Sequence, residues 1–210
     1  MNKTIAIWIA VFGGTFVVLF FLIRLTAPKS EATVYPEVSV VNAEDHTKGP
    51  VDSKTVLVEY GDFQCPGCAQ YEPLVQKLLT DYSDRFLFIY RNFPLPSHDN
   101  AVVAAKFAES AGQQGKFWEM HDMIFEHQEE WAGSASAEEL FGIYAQELKL
   151  NMEQFNNDRN SEEIKKKVED SYNYASSNRI NATPTFFLNA KKIQPQGYDE
   201  FVELIQNANL

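Results

Sequence analysis

A chain of 210 residues with 45% hydrophobic and 13% aromatic side chains can bury the core of one good-sized domain and still carry an appendage, which excludes an intrinsically disordered protein. Its 18 basic and 29 acidic side chains give a formal charge of −11, and since no acidic residue precedes Glu31, the part after Lys29 carries −14. That excess disfavours nucleic acid and anionic membrane surfaces as partners and reads most simply as solubility.

The first feature along the chain is Ile5–Ile23, 19 residues without a charge. As a helix it would be about 28 Å long, close to the hydrocarbon thickness of a bilayer. We expect an uncleaved signal anchor, a transmembrane helix within residues 1–27, because Leu25-Thr26-Ala27 followed by Pro28 makes a poor cleavage site. Lys3 and the amino terminus on one side oppose Arg24 and Lys29 on the other, so the flanking charges do not set its orientation. Residues 28–37, with Pro28 and Pro36 among polar residues, read as a linker, leaving 38–210 as the folded domain.

Within that domain, Val38-Ser39-Val40-Val41 is expected to form a first edge strand, followed by a turn region from Glu44 to Pro50. Thr55 to Tyr60 is a β-rich run closed by Gly61. It delivers the chain to Gly61-Asp62-Phe63-Gln64-Cys65-Pro66-Gly67-Cys68, which holds the only two cysteines. At this spacing on the head of a helix, two thiols lie one turn apart on one face and can close a small disulfide. Pro66 suits a first helical turn. If Cys65 stands where the helix begins, unpaired backbone N–H groups and the positive end of the dipole stabilise its thiolate and make it the attacking sulfur, with Cys68 as the resolving thiol. Taken alone, the pair also admits half a metal site or an incidental pairing.

The helix after the pair should run over about residues 66–81, with Leu74, Val75, Leu78 and Leu79 on one stripe, and Arg85 to Phe93 should be a second apolar strand. From Ser97 to about Ser177 the pattern turns helical, with candidates at 98–111, 115–130, 137–149, 152–158 and 161–178. Ser136 with Glu139 and Asn151 with Gln154 have capping-box spacing. These helices, about 97–177, read as an inserted subdomain, after which come strands at Thr185–Leu188 and Lys191–Ile193 and a last helix over about 198–208. The order is that of an α/β domain around a small mixed sheet. His46, His98, His121 and His127 read as surface or packing residues, and Trp118 as core, since no spacing brings two histidines beside the cysteines. Two sulfurs leave a tetrahedral metal site short of ligands, so neither a metal nor another cofactor is expected.

Five ordered blocks resemble the DsbA-like family of bacterial extracytoplasmic thiol:disulfide oxidoreductases, in its membrane-anchored branch: Glu44-Asp45-His46 with Gly49, Val58 to Cys68, Tyr90 to Pro96, Gly115 to His121, and Ala182 to Phe187. The resemblance implies a thioredoxin-like fold with a helical insertion. It further implies that Pro184 is a cis-proline facing the cysteines, that Thr183 presents its backbone to a substrate peptide beside Pro66 and Gly67, and that Glu59 is a buried acid exchanging a proton with Cys68. The expected activity is oxidation of cysteines in exported client proteins, with reoxidation by a quinone-linked membrane partner. The best-known oxidases of the family carry a histidine between the cysteines, where this chain has Pro66-Gly67; a less stabilised thiolate and a milder oxidant should follow. A reductase or isomerase of the same fold, a thiol metal carrier and a non-catalytic anchored chaperone are the competing functions.

Overall fold

The strand before the cysteine pair, β2 (Val56–Gly61), is the centre of a five-stranded mixed sheet with β1 (His46–Lys48), β3 (Leu87–Asn92), β4 (Thr185–Leu188) and β5 (Lys191–Ile193) in the order β1-β3-β2-β4-β5. This is the picture given by a computed structural model, which describes Thr15 and residues 34–208. Apart from Thr15, the apolar stretch over residues 5–23 lies outside the described residues, as do residues 28–33 of the expected linker. No helix among the described residues is long and apolar enough to cross a membrane.

Only β2 and β3 run parallel; every other neighbouring pair is antiparallel. A parallel pair needs a crossover, and α1 (Pro66–Tyr82), which begins at the cysteines, supplies it. Both strands of the pair are covered on both faces, and this is why they read as nearly unbroken apolar runs. Alternation then divides the core. Leu57, Phe88 and Tyr90 face the cluster built with α1 and the inserted helices, while Val58, Tyr60, Leu87 and Ile89 face a second cluster with Val38, Ala175 and Phe187. Between β3 and β4 lie α2 (Ala101–Gly112), α3 (Phe117–Glu126), α4 (Gln128–Trp131), α5 (Ala137–Glu147), α6 (Met152–Arg159) and α7 (Glu162–Ser177); α8 (Tyr198–Ala208) closes the chain.

Three expectations are corrected. Val38–Val41 is not a strand: Pro36–Ser39 form a single 3-10 turn in which Val38 alone is buried, and Val40 and Val41 are exposed. The proline fixes the backbone for a turn, and one buried valine is enough to anchor it. The edge strand is instead His46–Lys48, inside the expected turn region. Its side chains show no apolar alternation because its fixing contacts are of another kind: the His46 ring stacks on Phe117 with centroids 3.4 Å apart, and Trp118 Nε1 donates to the Thr47 carbonyl at 3.2 Å. The helix expected over 115–130 breaks at His127, with φ −103° and ψ 19°, into α3 and α4. The capping pattern divides likewise. Asn151 caps α6 and Ser161 caps α7, but Ser136, at φ −102° and ψ 21°, makes no side-chain cap because its backbone is not in the extended form that aims the hydroxyl at the helix.

Candidate active site

Cys65 is the N-cap residue of α1, with Pro66 in the first turn, and no side chain caps the helix. The free N–H groups therefore point at the Cys65 sulfur. Cys65 is 8% exposed and Cys68 fully buried, and both are free thiols. Cys65 Sγ donates to the Thr183 carbonyl at 3.3 Å, across from the Thr183–Pro184 peptide, which is cis. Gly67 makes that approach possible: a Cβ there would lie 3.3 Å from Pro184 Cδ and 3.5 Å from Cys65 Sγ. Cys65, Pro66, Gly67, Cys68, Thr183 and Pro184, expected at one site from distant parts of the sequence, are thus brought together.

The two thiols differ in charge state. The Cys68 thiol donating to Cys65, the Thr183 side chain and the backbone N–H groups of Cys68 and Gly67 outweigh partial burial, and bring the Cys65 thiol down to about 5. Cys68 moves the other way, chiefly through burial and then through its role as donor to Cys65, although the Asp62 N–H donates to its sulfur at 3.4 Å. At neutral pH the arrangement is one nearly ionised, reachable sulfur above one buried, protonated sulfur.

Glu59 lies behind Cys68 in the central strand, 1% exposed, with Oε2 lacking any partner. Burial, then the nearby Glu72 and Cys65, raise its carboxyl well above the usual range, which favours its neutral form. A buried carboxyl with a raised affinity for its proton, next to a thiol, can act as that thiol's acid and base.

Several residues that sequence reasoning did not assign hold the cysteine loop in place. The buried Asp62 carboxylate accepts from the N–H groups of Gln64 at 2.7 Å and Leu95 at 2.8 Å, and pairs with His98 Nδ1 at 2.7 Å. Gln128, at the head of α4, donates to the carbonyls of Phe63 at 2.6 Å and Cys65 at 3.0 Å. Gln64 donates to Ala132 and accepts from the Asn100 N–H, both at 2.6 Å. The inserted helices therefore grip the loop before the pair through amide side chains, whose partners are far off in sequence and leave no periodic signal. The histidines divide: His98 belongs to this support, His46 pairs with Glu109 at 2.8 Å, and His127 sits by Glu130. His121 is buried beside Glu72 and Asp122. Those three are close enough to share a cation, but Gln76 already donates to both carboxylates and Lys48 sits 3.6 Å from Asp122.

A family model described as thioredoxin matches residues 41–207, which includes all of the site. The chain belongs to the thioredoxin family. This thioredoxin-family chain is 38% identical over 164 residues to the Na(+)/H(+) antiporter NhaA 1 of Salinispora arenicola, covering 78% of its own length and 24% of that protein. With NhaA 3 of Salinispora tropica it shares 35% over 164 residues, again covering 24% of the relative. The chain thus spans about a quarter of the length of the curated relatives it matches. Among solved structures it superposes on BdbD of Bacillus subtilis with a TM-score of 0.72 at 24% identity, covering 85% of this chain and 98% of that one. It superposes on α-DsbA1 of Wolbachia pipientis with a TM-score of 0.74 at 21% identity, covering 83% and 95%. The thioredoxin-family chain therefore has the fold of DsbA-type thiol:disulfide oxidoreductases, with its mixed sheet and added helices.

Proposed function

We propose that this chain is a thiol:disulfide oxidoreductase that passes the Cys65–Cys68 disulfide to cysteines of exported client proteins. A client thiolate attacks Cys65 Sγ; the bond between the two cysteines breaks, and Cys68 leaves as a thiolate and takes a proton from Glu59. A second client thiolate then attacks the client sulfur of the mixed disulfide, and Cys65 leaves as a thiolate. The client has lost two electrons and the pair has gained them. Thr183, by its backbone, with Pro184, Pro66 and Gly67, would form the surface against which the client strand lies. The observation that carries this reading is the asymmetry of the pair: a Cys65 thiol lowered to about 5 beside a raised, buried Cys68 gives one good attacking and leaving sulfur and one that is protected.

The uncharged stretch Ile5–Ile23 supports a membrane anchor; a folded part outside the cytoplasm, where a quinone-linked membrane partner would restore the disulfide, follows from the disulfide-donating reading, since disulfides persist in oxidising compartments. One feature favours a second direction of flow: Pro66-Gly67 supplies no side-chain donor to the thiolate, which would suit a reductase or isomerase better than a strong oxidase. The chemistry is tested by trapping. With a peptide disulfide, Cys68→Ser should accumulate a mixed disulfide through Cys65, and Cys65→Ser should accumulate none. Equal trapping by both variants would sink the assignment of roles.

A further inference from the structure

The reaction proposed above needs a proton to reach and leave a carboxyl that is sealed from solvent, and nothing in the cysteine loop supplies a route. Among the buried polar atoms that lack hydrogen-bond partners, three belong to residues close to one another in the core: Glu59 Oε2, the Tyr90 hydroxyl and His121 Nε2. Glu59 and Tyr90 stand opposite each other in the parallel β2–β3 register, so their side chains leave the same face of the sheet. The Tyr90 hydroxyl end lies over Gly61, where a Cβ would come within 2.8 Å of it; the glycine leaves this space open. The Tyr90 and His121 rings meet edge to face with centroids 4.6 Å apart. On its other side His121 Nδ1 is 2.8 Å from Asp122 Oδ1 and 3.9 Å from Glu72 Oε1, and these two carboxylates line a surface cleft with Gln76 and Phe125. A buried polar atom without a partner is costly, so three such atoms in one part of the core mark a place where water completes the bonds.

We propose that Tyr90 and His121 are the proton route between Glu59 and the cleft lined by Glu72 and Asp122. The inference rests on the redox reading of Cys65 and Cys68. When Glu59 has protonated the leaving Cys68 thiolate, the Tyr90 hydroxyl gives its proton to the Glu59 carboxylate and takes one from His121, each through bound water because the three atoms do not bond one another, and His121 is reprotonated from the cleft. On reoxidation the same proton leaves in reverse, so nothing but a proton is exchanged with solvent. Both act through Glu59, although Cys68 also lies close enough to Tyr90 for their charges to interact. The titratable groups facing this route are Cys65 at the head of α1, Cys68 and Glu72 of α1, Asp62 of the loop, His121 and Asp122 of α3, and Lys48 of β1 beside Asp122.

The test is single-turnover reduction of the disulfide by dithiothreitol in the full-length chain, followed by quenched-flow thiol trapping from pH 5 to 9 in light and heavy water. Tyr90→Phe and His121→Gln are compared with the wild type. Both variants should slow the step at least about tenfold, raise its solvent isotope effect and shift its pH profile, with the equilibrium potential unchanged. Rates within about threefold of the wild type, or a slowing uniform in pH with an unaltered isotope effect, overturn the route. If either variant fails to fold, the other decides by the same criteria. A wild-type pair that transfers no disulfide to thiols overturns the redox reading itself, whereas an active wild type with unaffected variants removes only Tyr90 and His121.

Discussion

Cys65 and Cys68 are the same residue in different surroundings, and what they do follows from that difference. Helix-head N–H groups, the Cys68 thiol and the Thr183 side chain surround one sulfur; burial surrounds the other. In the reduced chain a thiolate absorbance titration should therefore show one transition near pH 5, which is lost in Cys65→Ser, and Cys68 should stay protonated through neutral pH. Gly67→His would add a side-chain donor and should move that transition lower, provided Pro184 Cδ yields to the new Cβ, which would stand 3.3 Å from it. An unmoved transition would show that the backbone and Cys68 already set the value. Glu59 gives the opposite sign. Its folded value is raised, so the stability it contributes is fully present below the ordinary carboxylate range and is lost as pH rises through the folded value. Glu59→Gln should consequently gain stability over the wild type as pH increases, in urea unfolding at pH 5 and pH 9, while slowing exchange at Cys68.

At the scale of elements, the head of α1 is held from outside rather than by its own cap. Gln128→Ala would strip the Phe63 and Cys65 carbonyls of their shared donor in a buried place, and should cost about 1–3 kcal/mol in denaturant unfolding. Amide protection should fall first in the loop from Asp62 to Cys65. How far this was legible in the sequence differs from residue to residue. The start of α1 at Pro66, the strand that feeds it and the meeting of Pro184 with the cysteines were all expected, because proline, spacing and apolar runs are local signals and the family resemblance joined them. Gln128 and Asp62 were given no role and His98 was read only as a surface or packing residue, because a polar side chain whose partner is many residues away has no pattern of its own. The edge strand His46–Lys48 was missed for a related reason: an edge held by a ring stack and one indole hydrogen bond carries no alternation to read.

At the scale of the molecule, the sheet has a face that carries chemistry and a face that carries the N-terminal turn. The second face contains a buried ion pair: Arg91 lies 2.7 Å from Asp45 and also donates to the carbonyls of Val38 and Val40 and to Tyr60. That pair ties the segment before β1 to β3. Asp45→Ala would leave the guanidinium buried without its carboxylate, and a loss of about 3–5 kcal/mol is expected in urea unfolding, with little change in the Cys65 titration. Composition and order revealed the fold class, yet the direction of electron flow lies in the balance of charge around two sulfurs, which no pattern encodes. The decisive measurement is the equilibrium reduction potential of Cys65–Cys68, titrated against glutathione and read by mass after thiol trapping. A potential clearly more oxidising than the roughly −270 mV of thioredoxin is expected for a chain that gives disulfides to clients; a value at or below it would contradict that function and make the chain a reductant.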